Sequence, residues 1–254
     1  MGRIIPDARF SATRITAGRA SFKLQTRRPT LYPVELISRK AKIDYIFVFK
    51  MSTEKKNIME PIILASSSPR RQKILKFLNI PFIVNPANID ETIPADIKPE
   101  EAAEFLAARK IDAVARKIPA ENEIGWILAA DTIILHKNKI FGKPKNQDEA
   151  REFLNSLQGT THKVITGIAL FNGTAHYMAT RTSVNKVTFA AMSEAEIESY
   201  LETSEWHGAA GAYRIQGKAS CFIKKIEGTE SSVMGLPIFE LYDMLKEQNY
   251  KFTV

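Results

Sequence analysis

From Pro61 onward, short apolar runs alternate with stretches in which apolar residues recur every three or four positions. Ile62-Ile63-Leu64-Ala65 is unbroken and of strand length, which predicts a buried strand. Ser66-Ser67-Ser68-Pro69 ends it. Ser68 is a helix-capping residue and Pro69 suits a first helical turn, so a helix should follow. It would turn Ile74, Leu75 and Leu78 inward and end near Asn79-Ile80-Pro81. Phe82–Val84 predicts a second strand. Ala103, Leu106, Ala107, Lys110 and Val114 share helical spacing and predict a helix over Pro99–Lys117. Trp126–Leu135 predicts a long strand whose apolar run is broken only by Asp131 and Thr132. Asn138 to Gly142 reads as a turn and return, and Gln147–Leu157 as an amphipathic helix.

His162–Phe171 and Tyr177–Phe189 predict two strands joined through the hairpin dipeptide Asn172-Gly173. Ser193-Glu194-Ala195-Glu196 has the capping-box pattern and opens a helix to about Leu201. Residues 204–217 are Gly-rich and aperiodic. Ala219–Ile226 resembles a strand, and Gly235–Gln248, which opens with Leu236-Pro237, predicts a closing helix. Strands and helices alternate around a central hairpin. That pattern is an α/β chain with a mixed, twisted sheet flanked by helices. No repeat or low-complexity linker divides residues 58–254, which read as one domain, bilobed around a cleft.

Composition narrows the picture. The 254 residues are 44% hydrophobic and 25% charged, as in a globular protein with a real core. One cysteine, Cys221, excludes an internal disulfide and a Cys-based zinc cluster, and its apolar neighbours suggest a core position. No apolar run approaches 18 residues, so a membrane partner is not expected.

The net charge of +8 first suggests a polyanion partner. Of the 36 basic and 28 acidic residues, however, 11 and 3 lie in residues 1–50, which leaves 25 of each in the remainder. A nucleic-acid binder carries its excess in the folded part, so nucleic acid is not the expected partner. Residues 1–57 read as a basic extension that is disordered or foreign to the mature protein. The Arg-, Ser- and Thr-rich composition of residues 1–50 is also that of a transit peptide, which would direct the chain to an organelle instead of the cytoplasm. Met51 and Met59 are both readable as starts.

Three segments could carry chemistry. The strand–Ser-rich turn–helix at 64–75 offers helix N–H groups, the Ser66 and Ser68 hydroxyls, and the forked cations of Arg70 and Arg71, which together suit a phosphate. An ordinary capped helix with two solvated arginines explains the segment equally well, and it lacks the P-loop pattern. Asp131 is a carboxylate inside an apolar strand, which must be paired, metal-bound or shifted in pKa. Gly142-Lys143-Pro144 fixes a loop that presents one lysine. Glu91 and Lys110 are individually uninformative. In residues 205–217, three glycines beside Trp206, Tyr213 and Gln216 allow close approach of a planar ligand, and the Gln216 amide can bond a base edge. The four histidines, His136, His162, His176 and His207, are dispersed without metal-ligand spacing and read as structural or surface residues.

Taken together, residues 61–248 resemble the Maf family of nucleoside triphosphate pyrophosphatases. The resemblance rests on Leu64-Ala65-Ser66-Ser67-Ser68-Pro69-Arg70-Arg71, Ala129-Ala130-Asp131-Thr132, Gly142-Lys143-Pro144 and Gly159 to Gly167. It continues through Gly211-Ala212-Tyr213…Ile215-Gln216-Gly217 and Val233-Met234-Gly235-Leu236-Pro237. It implies a Maf/ITPase-like fold and hydrolysis between the α- and β-phosphates, to monophosphate and pyrophosphate. It also implies a divalent metal (Mg2+ or Mn2+), a homodimer and a cytoplasmic housecleaning role.

By the same resemblance, Asp131 is the general base, with Glu91 and Asp131 as metal ligands. Ser66, Ser68, Arg70, Arg71, Lys110 and Lys143 would hold substrate. The loop resembles the branch acting on dTTP and UTP, in which Arg70, Thr132 and Gln216 would select the base; modified pyrimidine nucleotides are also implied. Ala209 stands where the family often has Lys, and Arg214 where it often has Gly, so Arg214 could restore the missing charge. The alternative reading is a non-catalytic nucleotide sensor that regulates septum formation in cell division.

Overall fold

The computed structural model describes residues 59–119 and 125–252. The expectations for residues 1–57 lie outside them. The strands are β1 (Ile62–Leu64), β2 (Phe82–Val84), β3 (Trp126–His136), β4 (Lys139–Phe141), β5 (Thr161–Asn172), β6 (Tyr177–Phe189) and β7 (Ile223–Glu227). The helices are α1 (Pro69–Phe77), α2 (Ala102–Ala115), α3 (Gln147–Leu157), α4 (Glu194–Glu202), α5 (Glu230–Met234) and α6 (Ile238–Glu247).

The strands form one sheet in the order β2-β1-β3-β5-β6-β7, with β4 also on β3. β1 runs parallel to β2 and β3, and the other pairings are antiparallel, so the sheet is mixed. Alternation along β3 sorts its side chains between two faces. Ile127 and Ala129 pack with Ala107, Ile111 and Val114 of α2. On the opposite face, Leu128 and Ala130 pack with Ile74 and Leu75 of α1 and Leu241, Met244 and Leu245 of α6. Further along that second face, Ile134 joins Phe153, Leu154 and Leu157 of α3 and Ile197, Tyr200 and Leu201 of α4. Thr132 lies between these two cores.

Several local expectations are met by visible chemistry. Ser193 and Glu196 form the reciprocal capping box that opens α4. Asn146 caps α3 by accepting from the Glu149 N–H at 2.9 Å. Others need correction. Ser68 occupies the cap position of α1 and Pro69 begins the helix, but the Ser68 side chain makes no capping bond. Its backbone N–H instead donates to Ser66 Oγ at 3.2 Å.

The β5–β6 turn is longer than Asn172-Gly173 implies. Asn172 pairs with Tyr177, leaving four residues in the loop. Asn172 Oδ1 turns the chain by accepting from the Ala175 N–H, and His176 takes the left-handed conformation at φ 49°. Lys218–Phe222 is a 3-10 turn, so only the second half of the expected strand pairs. Cys221, in that turn, is exposed. The closing helix forms as α6, with Pro237 at its cap, and a short helix that the sequence did not announce, α5, precedes it and ends at Gly235, left-handed at φ 109°. Leu236 is thereby buried, between the two helices.

Candidate active site

Asp131 sits where the edge of β3 opens. β5 covers one edge of β3 from Trp126 to Leu135. On the other edge, β1 pairs with Trp126–Leu128 and β4 with Ile134–His136. Among the described residues, no strand covers Ala129–Ile133 on that side. The carboxyl end of β1 and the N-terminus of α1 face this gap, which is where ligands bind in open α/β sheets.

Asp131 points toward α2. Gly167 is its partner on β5, and a Cβ there would overlap the backbone of Ala103 and Glu104. The glycine therefore lets α2 lie directly on the sheet. Two turns further along α2, Lys110 reaches Asp131 and its Nζ bonds Asp131 Oδ1. The same Nζ is 2.8 Å from Glu91 Oε1, on the irregular stretch between β2 and α2. Asp131 is 7% exposed and Lys110 6%, so this pair is shielded from water. Lys143, directly after β4, reaches Glu91 Oε2 at 3.5 Å from the solvent side. Burial raises the Glu91 pKa, but bonds and charge from Lys110, with help from Lys143, outweigh it and hold the carboxyl below the ordinary glutamate value.

On the opposite face, Thr132 Oγ1 is 3.0 Å from Thr166 Oγ1, its register partner on β5. Arg71 closes this side. Its Nε donates to the Gly235 carbonyl at 2.8 Å, NH1 to Ser66 Oγ at 2.8 Å and NH2 to Thr132 Oγ1 at 3.4 Å. Burial lowers the Arg71 pKa, opposed by the charges of Asp131 and Glu91. Thr166 Oγ1 donates to the Ser232 carbonyl at 2.8 Å, and Asn185 Nδ2 donates to Ser232 Oγ at 2.7 Å. Asn185 Oδ1 accepts from the Thr229 N–H at 2.9 Å. A buried polar chain thus ties α1, β3, β5, β6 and α5 together beneath the site.

The Gly-rich loop forms the outer wall. Gly211 is left-handed, and a Cβ on it would run into Ile134 Cδ1. Tyr213 is anchored inward, its hydroxyl 2.8 Å from His162 Nε2. Burial pushes the His162 pKa down to about 4, with a smaller contribution from His136. Beyond this anchor, Arg214 and Gln216 line the cleft, Arg214 partly buried and Gln216 exposed.

Ser66, Ser68, Arg70, Arg71, Glu91, Lys110, Asp131, Thr132, Lys143 and Gln216 all line one cleft of about 400 Å3. That is the size of a small-ligand site. The sequence reading did not single out Ser232, which shapes the site from beneath. Nor did it find the Lys110–Asp131 bond: Lys110 shares helical spacing with core residues, but nothing local shows that α2 crosses β3. His162 is structural, as its isolation suggested.

Chemically, the cleft combines acceptors for a proton with cations for phosphate. Among the described residues, no group of three or more His, Cys, Asp or Glu side chains has metal-holding geometry. The two carboxylates converging on Lys110 do fit an ion that takes most of its ligands from phosphate and water, as Mg2+ does.

The sequence profile of the Maf-like protein family matches residues 61–248. A dTTP/UTP pyrophosphatase of Pelotomaculum thermopropionicum is 42% identical over 192 residues, which are 76% of this chain and 98% of that protein. One from Treponema denticola is 41% identical over 201 residues, covering 76% of this chain and 99% of that protein. Among solved structures, the Ham1 protein of Staphylococcus aureus aligns with a TM-score of 0.45 and 13% identity, over 74% of this chain and all of that one.

Proposed function

The chain belongs to the Maf-like protein family, and from that premise we propose that it is a dTTP/UTP pyrophosphatase, hydrolysing these nucleotides to the monophosphate and pyrophosphate. The observation that carries the mechanism is the buried Lys110–Asp131 pair, with Glu91 beside it, opening onto a cleft next to the N-terminus of α1.

The triphosphate lies against the first turn of α1. Its N–H groups and dipole favour negative charge, and Arg70 and Ser68 flank it. Asp131 accepts a proton from water as the water oxygen bonds to the α-phosphorus. The bond from that phosphorus to the bridging oxygen breaks, and the electron pair leaves with pyrophosphate. Lys110 orients Asp131, and Lys143 faces the phosphates as negative charge grows on the leaving group. Arg71 holds Ser66 and Thr132 in place and keeps its positive charge at the cleft floor. Gln216, on the loop, bonds the base edge.

Asp131 and Glu91 are the residues that would hold Mg2+ or Mn2+. Such an ion supplies charge neutralisation at the phosphates and favours ionised water. A homodimer and a cytoplasmic site of action accompany this reading, and sedimentation velocity tests the first. A panel of canonical and modified nucleoside triphosphates, assayed for pyrophosphate release, tests the substrate. Preference for dTTP and UTP supports the reading. Turnover confined to purines overturns the base assignment, and nucleotide binding without turnover points to a sensor.

A further inference from the structure

Arg214 enters the cleft from the Gly-rich loop and has no role in the scheme above. Its NH2 donates to the His207 carbonyl at 2.5 Å. Arg70, coming from α1 across the cleft, donates its NH2 to the next carbonyl, that of Gly208, at 3.4 Å. Two guanidiniums from different walls therefore rest on consecutive peptide groups of one loop.

Like charges in one cleft repel. The Arg70 pKa is lowered by burial first, then by the charge of Arg214 and that of Arg71. Among the described residues, no acid forms an ion pair with either arginine. The carboxylates lining the cleft are Glu91 and Asp131, and both bond to lysines. Moreover, Arg214 Nε is buried and has no hydrogen-bond partner among the described residues. A shielded N–H without an acceptor is costly, and a planar fork with a free donor matches a phosphoryl group.

We propose that Arg214 is a substrate-binding residue that, with Arg70, clamps the outer phosphates of the triphosphate and then the pyrophosphate leaving group. The inference rests on the proposed function for the identity of the anion. The clamp grips phosphates that are present before and after bond cleavage, so its energy appears mainly in ground-state binding. Its loss should therefore raise KM more than it lowers kcat.

The test uses the full chain with Arg214→Gln and Arg214→Lys. Glutamine can still donate to the His207 carbonyl but has no charge, whereas lysine keeps the charge. Calorimetric titration with inorganic pyrophosphate should show Kd raised about tenfold in R214Q, the loss of one charge-assisted bond, and largely restored in R214K. KM for dTTP should rise in parallel, with kcat within about threefold of wild type.

Unchanged pyrophosphate affinity in R214Q overturns the proposal. So do equal losses in R214Q and R214K, which would assign the residue to loop geometry, and absence of pyrophosphate binding by the wild-type chain. The two readings fail separately. Wild-type protein that binds pyrophosphate through Arg214 without turning over dTTP removes the function and leaves the clamp. Wild-type turnover with unaltered pyrophosphate binding in R214Q removes the clamp alone.

Discussion

Lys110 joins two acids that would otherwise repel. It is buried against Asp131 and reaches Glu91, so removing its charge leaves a shielded carboxylate without a counter-ion. Breaking such a pair typically costs roughly 3–5 kcal/mol. Lys110→Met should therefore lower stability by about that amount in chemical denaturation and abolish turnover. A stable, active K110M would mean that Asp131 does not depend on it. The two partners differ in legibility. A carboxylate in an apolar strand stands out because burial penalises charge, so Asp131 was visible from sequence. Lys110 was visible only through the family resemblance, because on a helix its spacing says only which face it shares. Arg71 was legible as a cation near phosphate, but its three bonds to Ser66, Thr132 and Gly235 depend on residues up to 164 positions away.

At the scale of elements, the site depends on how closely α2 and the loop approach the sheet. Gly167→Ala would push the backbone of Ala103 and Glu104 away from β5. Overpacking of this kind costs typically about 1–3 kcal/mol, here against backbone that has little room to yield. Because α2 carries Lys110, kcat should fall as well, measured on the folded fraction.

The loop has its own anchor in His162 and Tyr213. With the imidazole held at about 4 against an ordinary 6.5, the unfolded chain binds a proton in that interval that the folded chain refuses. Stability is then fully present above about pH 6.5 and falls as the pH drops to 4, by roughly 3 kcal/mol in all. Thermal melts across this range should show the loss, and His162→Gln should flatten it.

Strands and helices were largely readable, since periodicity reflects the two-faced sheet directly. The closing helix was legible, but the short α5 before it was not, because five residues are too few to show helical periodicity. The β5–β6 hairpin was legible from Asn172-Gly173, but the four-residue length of its loop was not, because the Asn172 side chain directs it.

For the molecule as a whole, charge placement separates the basic first 50 residues from a remainder with equal numbers of acids and bases. Among the described residues, those that line the cleft lie between Ala65 and Met234. A chain beginning at Met51 should therefore keep kcat/KM for dTTP within about twofold, because it retains every cation among the described residues of the cleft. A large loss would show that the extension contributes to the site. The polyanion suggested by the net charge is accordingly a single triphosphate met by a few placed cations. The cleft opens at the uncovered edge of β3, so that Thr132 lines it from one face of the sheet and Asp131 from the other.

The proposed function makes Asp131 the residue that drives cleavage between the α- and β-phosphates. Its most direct test is product analysis by anion-exchange chromatography after incubation of dTTP and Mg2+ with wild-type protein and with Asp131→Asn, whose fold is checked by circular dichroism. Wild-type protein should yield dTMP and pyrophosphate, and a folded D131N should be slowed by roughly 100- to 10,000-fold. Release of dTDP and inorganic phosphate, or near-wild-type turnover by D131N, would contradict it.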